Sequence, residues 1–313
     1  MSRPHESQTA STVMMVRPSR FHSNPLTAES NRFQGKSTLN PEEQQAAAAS
    51  EFDGISSALE SAGVQVIRFD DLPEPPTPDA IFPNNWVSFH ADGTVVLYPM
   101  MAENRRSERR QDVIDALAGQ HGFHVREVID LSFHEQAGQF LEGTGSMVLD
   151  RVNHIAYACL SPRTHLDALG DFAQRMDYDV LAFDAVDEQG APIYHTNVLM
   201  NVGEHLAVIC AEALPREDQR HAVLRSLADT EHEVIELSFA QMNAFAGNML
   251  ELKNSDGSRL LAMSKQAFDS LEKAQVATIE QYAGVVSYPI DSIEASAGGS
   301  VRCMLAEVHL PRG

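Results

Sequence analysis

The chain has 313 residues and a formal net charge of −21, with 43% apolar and 21% charged residues. That is the composition of a soluble globular protein with enough chain to bury a large core. The acidity excludes nucleic acid and anionic membrane surfaces as partners, because both are recognised through basic patches. The three cysteines, Cys159, Cys210 and Cys303, are far apart and form no CxxC pair. No disulfide framework is expected, and a reducing, cytoplasmic location follows. The polar N-terminus (MSRPHESQ) lacks a secretory apolar region, and nowhere do about 18 apolar residues run unbroken, so no membrane span is expected. The thirteen histidines show neither HExxH nor Cys/His metal spacing, so no metal and no cofactor are expected.

In chain order, residues 1–9 read as a flexible terminus and 10–313 as a single domain. Ser11–Pro18 predicts a buried strand ended by its proline. The polar stretch Phe21–Gly35, with His22, Asn24 and Asn31, is either a lid over a site or a plain surface loop. Asn40-Pro41-Glu42-Glu43 predicts a helix start, with Asn40 as N-cap, and the helix reaches about Ser61. Gly63 stops it, and the next strand covers Val64–Phe69. A proline-rich connector then delivers Asp79–Phe89, a turn at Ala91–Thr94 and an apolar strand to Tyr98. Glu103–Glu108 opens a helix ending near Gly119, and Val125–Leu131 is a strand.

Gln139–Leu149 reads as a glycine-broken strand with Asn153–Ala158 as its hairpin partner, a helix reaching Met176, and a strand at Tyr178–Phe183. Ile193–Gly203 reads as the next strand, paired with Leu206–Ile209, then a helix Pro215–Ala228 and a strand Glu233–Leu237. Asn248–Leu252 with Arg259–Met263 is a hairpin, Lys265–Tyr282 one long helix, and the last strand carries Cys303. The order is ββαβ repeated every ~50–65 residues, a period in pattern rather than in sequence. A ring of such units would bring Asp79, Glu142, His195 and Cys303 together at a central channel.

The chemistry of those four residues is coherent. A cysteine thiolate is a strong nucleophile, an imidazole titrates near neutrality and can move a proton, and a carboxylate can orient that imidazole. Each also has a structural reading. Cys303 and His195 fit apolar core positions, Glu142 a turn beside a glycine, and Asp79 a cap.

The motifs Asp79-x-x-Phe82-Pro83-Asn84-Asn85, Asn104-Arg105-Arg106-Ser107-Glu108, Leu141-Glu142-Gly143, Leu160-Ser161-x-Arg163-Thr164, Tyr194-His195-x-Asn197 and Gly299-Ser300-x-x-Cys303 occur in one order along nearly the whole chain. Together they resemble the guanidine-modifying superfamily, which includes arginine deiminases, dimethylarginine dimethylaminohydrolases and amidinotransferases. The resemblance implies an α/β fold, the five-bladed α/β propeller (pentein) of ββαβ units with pseudo-five-fold symmetry. It implies Cys303 as nucleophile, His195 as general acid and base, and Glu142 as their partner. It further implies Arg105 and Arg163 as binders of a substrate α-carboxylate, with a small amino acid as substrate; a homodimer is compatible with it. Without the resemblance, Arg105 and Arg163 read as ordinary surface arginines, and whether Arg105 or Arg106 faces a site stays open.

This chain departs from the superfamily's pattern in two places. Dimethylarginine hydrolases have Phe-x-Glu-Asp where this chain has Phe82-Pro83-Asn84-Asn85, and arginine deiminases have His-x-Asp where it has His195-Thr196-Asn197. Carboxylates that grip a guanidinium are here amides, which both donate and accept. The resemblance makes Asp79, Asn85 and Asn197 the expected head-group contacts, and the amides suit a neutral ureido group. The expected activity is therefore hydrolysis of L-citrulline to ornithine, ammonia and CO2 through a covalent cysteine adduct, like the citrulline-hydrolysing branch that the whole pattern resembles. Alternatives are an arginine deiminase or dimethylarginine-type hydrolase, and a ligand-binding propeller without catalysis.

Overall fold

The computed structural model describes residues 6–35 and 39–313. Its strands are β1 (Thr12–Arg17), β2 (Gln65–Asp70), β3 (Val87–Phe89), β4 (Thr94–Leu97), β5 (Glu127–Asp130), β6 (Val148–Asp150), β7 (Ile155–Cys159) and β8 (Asp179–Phe183). They continue with β9 (Met200–Val202), β10 (Leu206–Ile209), β11 (Glu233–Glu236), β12 (Leu250–Lys253), β13 (Arg259–Ser264), β14 (Gly284–Tyr288) and β15 (Ala306–Glu307). They form five three-stranded sheets: β3-β4-β5, β6-β7-β8, β9-β10-β11, β12-β13-β14 and β15-β1-β2. In every sheet the middle strand is antiparallel to the first and parallel to the third. A short turn suffices for the antiparallel step, whereas the parallel step needs a crossover, here helical in each case. These crossovers are Pro41–Ser61, Gln111–Gly119, Leu166–Met176, Glu217–Asp229 and the pair Lys265–Ser270 and Lys273–Tyr282. This is the five-bladed α/β propeller expected. Its last blade is built from both ends of the chain, with Val13 paired to Glu307 and Met14 to Ala306.

Local signals explain the elements. Asn40 Oδ1 accepts from Glu43 N at 3.0 Å while Glu43 returns a bond to Asn40 N, a capping box with Pro41 at the first helical position. Gly63, at φ +90°, supplies the left-handed residue that turns the chain into β2. Phe52, Ile55 and Leu59 of that helix then pack on Val13 and Met15 of β1 in one apolar cluster.

Several sequence expectations need correction. The long helix is two, because Glu272 is extended and caps a second start through Gln275. β14, which follows it, had no counterpart in the sequence reading. Glu103–Glu108 is a separate 3-10 turn before the helix Gln111–Gly119. The segments read as strand starts around Glu142, His195 and Cys303 are instead one-turn helices, Gly143–Ser146, Thr196–Leu199 and Val301–Met304, each just before the first strand of its sheet. Such turns are too short to leave a helical period in the sequence.

The terminus expected to be flexible divides. Residues 1–5 lie outside the described residues, but Glu6, Gln8 and Thr9 are buried. Gln8 Nε2 donates to Leu149 O and Val202 O, both at 2.9 Å, and its Oε1 accepts from Arg151 N at 2.7 Å. Glu6 Oε1 meets Arg151 Nη1 at 2.8 Å, and Arg151 Nε lies 3.7 Å from Glu307. Burial pushes the Glu6 carboxyl up, but Arg151 and His90 more than offset this and hold it well below the usual carboxylate range. Replacing Arg151 by alanine leaves both acids buried with less charge compensation. Arg151→Ala should lower stability by about 3–5 kcal/mol in a urea titration; a loss under about 1 kcal/mol would show that the cluster does not hold the terminus.

Candidate active site

The first strand of each sheet is preceded by a tight polar turn, and the turns converge. Pro83–Asn85 leads to β3, Gly143–Ser146 to β6, Thr196–Leu199 to β9, Phe245–Asn248 to β12 and Val301–Met304 to β15. They deliver Asn85, Glu142, His195 with Asn197, Asn248 and Cys303. Hydrogen bonds tie neighbouring turns: Thr196 Oγ1 donates to Ser146 O at 2.6 Å, and Asn84 Nδ2 to Thr144 Oγ1 at 3.3 Å. Asp79, Phe82, Asn85, Arg105, Arg163, Tyr194, His195, Gly299 and Cys303 line one small cavity, together with Thr27 and Asn31.

His195 Nε2 lies 2.9 Å from Glu142 Oε2. The other carboxylate oxygen accepts from Met101 N at 3.1 Å, and Arg163 Nη1 and Arg105 Nη1 stand 3.5 and 3.7 Å from Oε2. Burial pushes the Glu142 carboxyl up; Arg163, His195 and Arg105 outweigh it and hold the group far below the ordinary range. Burial pushes the His195 imidazole down to about 4, against the upward pull of Glu142. At neutral pH the pair is therefore carboxylate and neutral imidazole. A neutral imidazole can take a proton from a nearby thiol and hand it on.

Cys303 is buried, and its sulfur lies 3.4 Å from Asn197 Nδ2 and 3.4 Å from Asn248 Nδ2. Cys159 and Cys210 are also buried, and burial pushes both thiols up to about 12. They have no place in the cavity.

Arg105, not Arg106, points inward. Its Nε and Nη2 form a fork on Glu108 at 2.9–3.2 Å, and Nη1 donates to Asn85 Oδ1 at 2.9 Å. Burial lowers the guanidinium's proton affinity, but Glu108, Asp79 and Glu142 raise it further, so it stays charged. The resemblance implied that Arg105 binds a substrate carboxylate. Here its fork is already filled by the acid three residues on. Arg163 is engaged differently: Nη2 donates to Ser30 Oγ at 2.7 Å and to Thr27 O at 3.1 Å, and its guanidinium sits 4.8 Å above the Tyr194 ring. The Phe21–Gly35 stretch thus lies against the site. Asn24 Nδ2 in it donates to Asp79 Oδ2 at 2.7 Å. Asn84 sits behind Asn85, accepting from Asn85 Nδ2 at 3.0 Å, outside the cavity lining.

Sequence reasoning gave no role to Glu108, Tyr194 or Asn248. The first two stand inside the quoted motifs. Asn248 had its own signal, since Ala246-Gly247-Asn248-Met249-Leu250 repeats the glycine-polar-apolar lead-in seen at Gly145-Ser146-Met147-Val148.

Two measurements check this geometry. A Cβ on Gly145 would stand 2.5 Å from Asn85 Nδ2 and 2.7 Å from His195 Nδ1. Gly145→Ala should therefore push both groups aside, lowering turnover about 100-fold for a shift on the order of 1 Å and stability by about 1–3 kcal/mol. Activity near wild type would mean that neither group needs its present position. For pH, the folded imidazole value is lower than the unfolded one, so the neutral base persists as pH falls. The acid limb of kcat/KM should lie near 4, with activity full above it and lost below; a limb near the ordinary value of about 6.5 would contradict the burial of His195.

Residues 17–310 match the sequence profile of the family described as N,N dimethylarginine dimethylhydrolase, eukaryotic. Among curated proteins no sequence matches. Similar solved structures include ArgZ, an arginine dihydrolase from the ornithine-ammonia cycle in cyanobacteria, at 17% identity and a TM-score of 0.73, over 96% of this chain and 41% of that one. AgrE in a binary complex with L-arginine superimposes at 18% identity and a TM-score of 0.74, over 96% of this chain and 40% of that one. This chain therefore spans about two fifths of the length of ArgZ and AgrE. DDAH from Pseudomonas aeruginosa, as a mutant complexed with citrulline, matches at 14% identity and a TM-score of 0.64, over 95% and 99% of the two chains. With the profile matched over nearly its whole length, this chain belongs to the dimethylarginine dimethylhydrolase family of the guanidine-modifying pentein superfamily.

Proposed function

We propose that the protein is a cysteine hydrolase that cleaves the ureido group of L-citrulline to ornithine, ammonia and CO2. The observation that carries this reading is the hydrogen-bonding polarity of two amides. Asn85 has its carbonyl oxygen held by Arg105 and one N–H by Asn84 Oδ1, so its second N–H is the donor left for a ligand. Asn197 Oδ1, beside Cys303, is a buried acceptor with no hydrogen-bond partner. One donor and one acceptor match the carbonyl oxygen and NH2 of a ureido group. A guanidinium has only donors, so it would leave that Asn85 N–H unmatched. The acids of the site are also engaged already: Glu108 by Arg105, Glu142 by His195 and Arg163, and Asp79 by Asn24. A cationic head group would find no unpaired acid beyond the lone pairs left on Asp79.

In the reaction, neutral His195 takes the thiol proton of Cys303, and the sulfur attacks the ureido carbon. The bond to the δ-nitrogen breaks, His195 gives the proton to that nitrogen, and ornithine leaves. Water, deprotonated by His195, cleaves the S-carbamoyl group to carbamate, which decays to ammonia and CO2. Glu142 holds the imidazole and balances the charge it gains. Arg163, held by a hydroxyl and a carbonyl of the Phe21–Gly35 loop, takes the α-carboxylate when that loop moves aside.

The competing reading, hydrolysis of a guanidine such as arginine or a methylated arginine, draws support from the family's description and from the names of ArgZ and its neighbours. A panel of citrulline, arginine and dimethylarginine, assayed for ornithine, citrulline and ammonia, separates the two. Citrulline should lead arginine by at least ~100-fold in kcat/KM, with a carbamoyl adduct on Cys303 and no turnover by Cys303→Ser. Equal or reversed preference rejects the ureido reading, and binding without turnover of any of the three points to a non-catalytic propeller.

A further inference from the structure

The fourth blade supplies a group that the superfamily's motifs, as read above, do not contain. Asn248 is fully buried at the turn before β12. Its side chain makes three contacts at once. Oδ1 accepts from Arg302 N at 3.0 Å, Nδ2 donates to Asn197 O at 2.9 Å, and Nδ2 stands 3.4 Å from Cys303 Sγ, with Oδ1 farther off at 3.8 Å.

These contacts fix which end of the amide meets the sulfur. A backbone N–H can only donate and a backbone carbonyl can only accept. Turning the amide over would set NH2 against Arg302 N and a carbonyl oxygen against Asn197 O, leaving both buried bonds broken. Sulfur is therefore offered an N–H by a group that cannot turn away. Asn197 offers a second N–H at 3.4 Å, but its Oδ1 has no partner. The Asn197 amide is thus held at its Nδ2 end alone, while Asn248 is held at both ends.

We infer that Asn248 is a catalytic residue: it is the fixed hydrogen-bond donor to the Cys303 sulfur while that sulfur carries negative charge. The inference rests on Cys303 being the nucleophile, but not on which head group it attacks. When His195 removes the thiol proton, the charge left on sulfur meets an oriented N–H with no further reorganisation. The same donor again meets sulfur when the S-carbamoyl bond breaks and the thiolate departs. Because Oδ1 holds the backbone N–H of the residue before Cys303, a purely structural role is the alternative.

Two variants divide these roles. Asn248→Asp keeps an acceptor for Arg302 N but loses the donor to Asn197 O and sets an acceptor, not a donor, against sulfur. Asn248→Ala removes both. The readout is alkylation of Cys303 by iodoacetamide, followed by mass spectrometry on the folded protein, with Cys159 and Cys210 as buried controls. No substrate is involved, so the result is independent of the citrulline assay.

At pH 7, Asn248→Asp should be alkylated at least ~10-fold more slowly than wild type, with Asn248→Ala also slowed. At about pH 10, where ordinary thiols are ionised, the variants should regain most of the wild-type rate. Turnover of whichever substrate is active should fall in kcat more than it rises in KM. Wild-type alkylation at pH 7 in a folded Asn248→Asp overturns the proposal, as does an equal loss at both pH values. If neither variant folds, the wild-type side-chain amide signal of Asn248 in a nitrogen-15 spectrum decides. It should move when Cys303 is replaced by serine, and an unmoved signal refutes the contact.

Discussion

Glu142 is a carboxylate wholly removed from water, and keeping it ionised is the constraint on which the rest of the site depends. A lone buried carboxylate would take up a proton. Here Arg163, His195 and Arg105 stand around it and outweigh the effect of burial. Each compensating group comes from a different part of the chain: Arg163 from the loop after β7, His195 from the turn before β9, and Arg105 from the turn after β4. The charge therefore ties separate blades together. The carboxylate thus stays ionised and the imidazole beside it neutral at neutral pH.

The same logic recurs at the other buried charge cluster, where Glu6 and Glu307 meet Arg151, Arg302 and His309. Arg302 belongs to this cluster and immediately precedes Cys303 in sequence. The one-turn helix Val301–Met304 thus has an ionic anchor on one residue and the cavity-lining sulfur on the next. Both chain ends are drawn in. The N-terminal segment supplies Glu6 and Gln8, while β15 pairs with β1 and carries Glu307.

The amides of the site are matched to their neighbours by polarity. Asn85 is orientated by Arg105, Asn248 by Arg302 N and Asn197 O, and Asn197 keeps an unused acceptor. The fork of Arg105 is occupied by Glu108, whereas Arg163 is shared between loop groups and Glu142. The two arginines, alike in sequence, therefore hold different positions: one braces the Asn85 amide, the other joins Glu142 to the Phe21–Gly35 loop.

The alternation of apolar runs and helix signals was enough, from sequence alone, to predict the ββαβ order apart from β14, the N-cap at Asn40 and the stop at Gly63, since these are local and depend on neighbours within about four residues. The motif strings also marked Cys303, His195, Glu142, Asp79, Asn85, Asn197, Arg105 and Arg163 for one site. What lay beyond local reading was set by contacts between distant residues. The turns holding Glu142, His195 and Cys303 are helical for one turn only, because each must place a polar side chain inward and then enter a buried strand. Residues 6–9 look like any polar terminus until Arg151, 145 positions from Glu6, meets the acid. Asn248 lies 55 residues from Cys303, and no pattern in either segment names the other. Local sequence decides what a segment can be, but which end of an amide faces a sulfur is decided by the donors and acceptors that the assembled blades put around it.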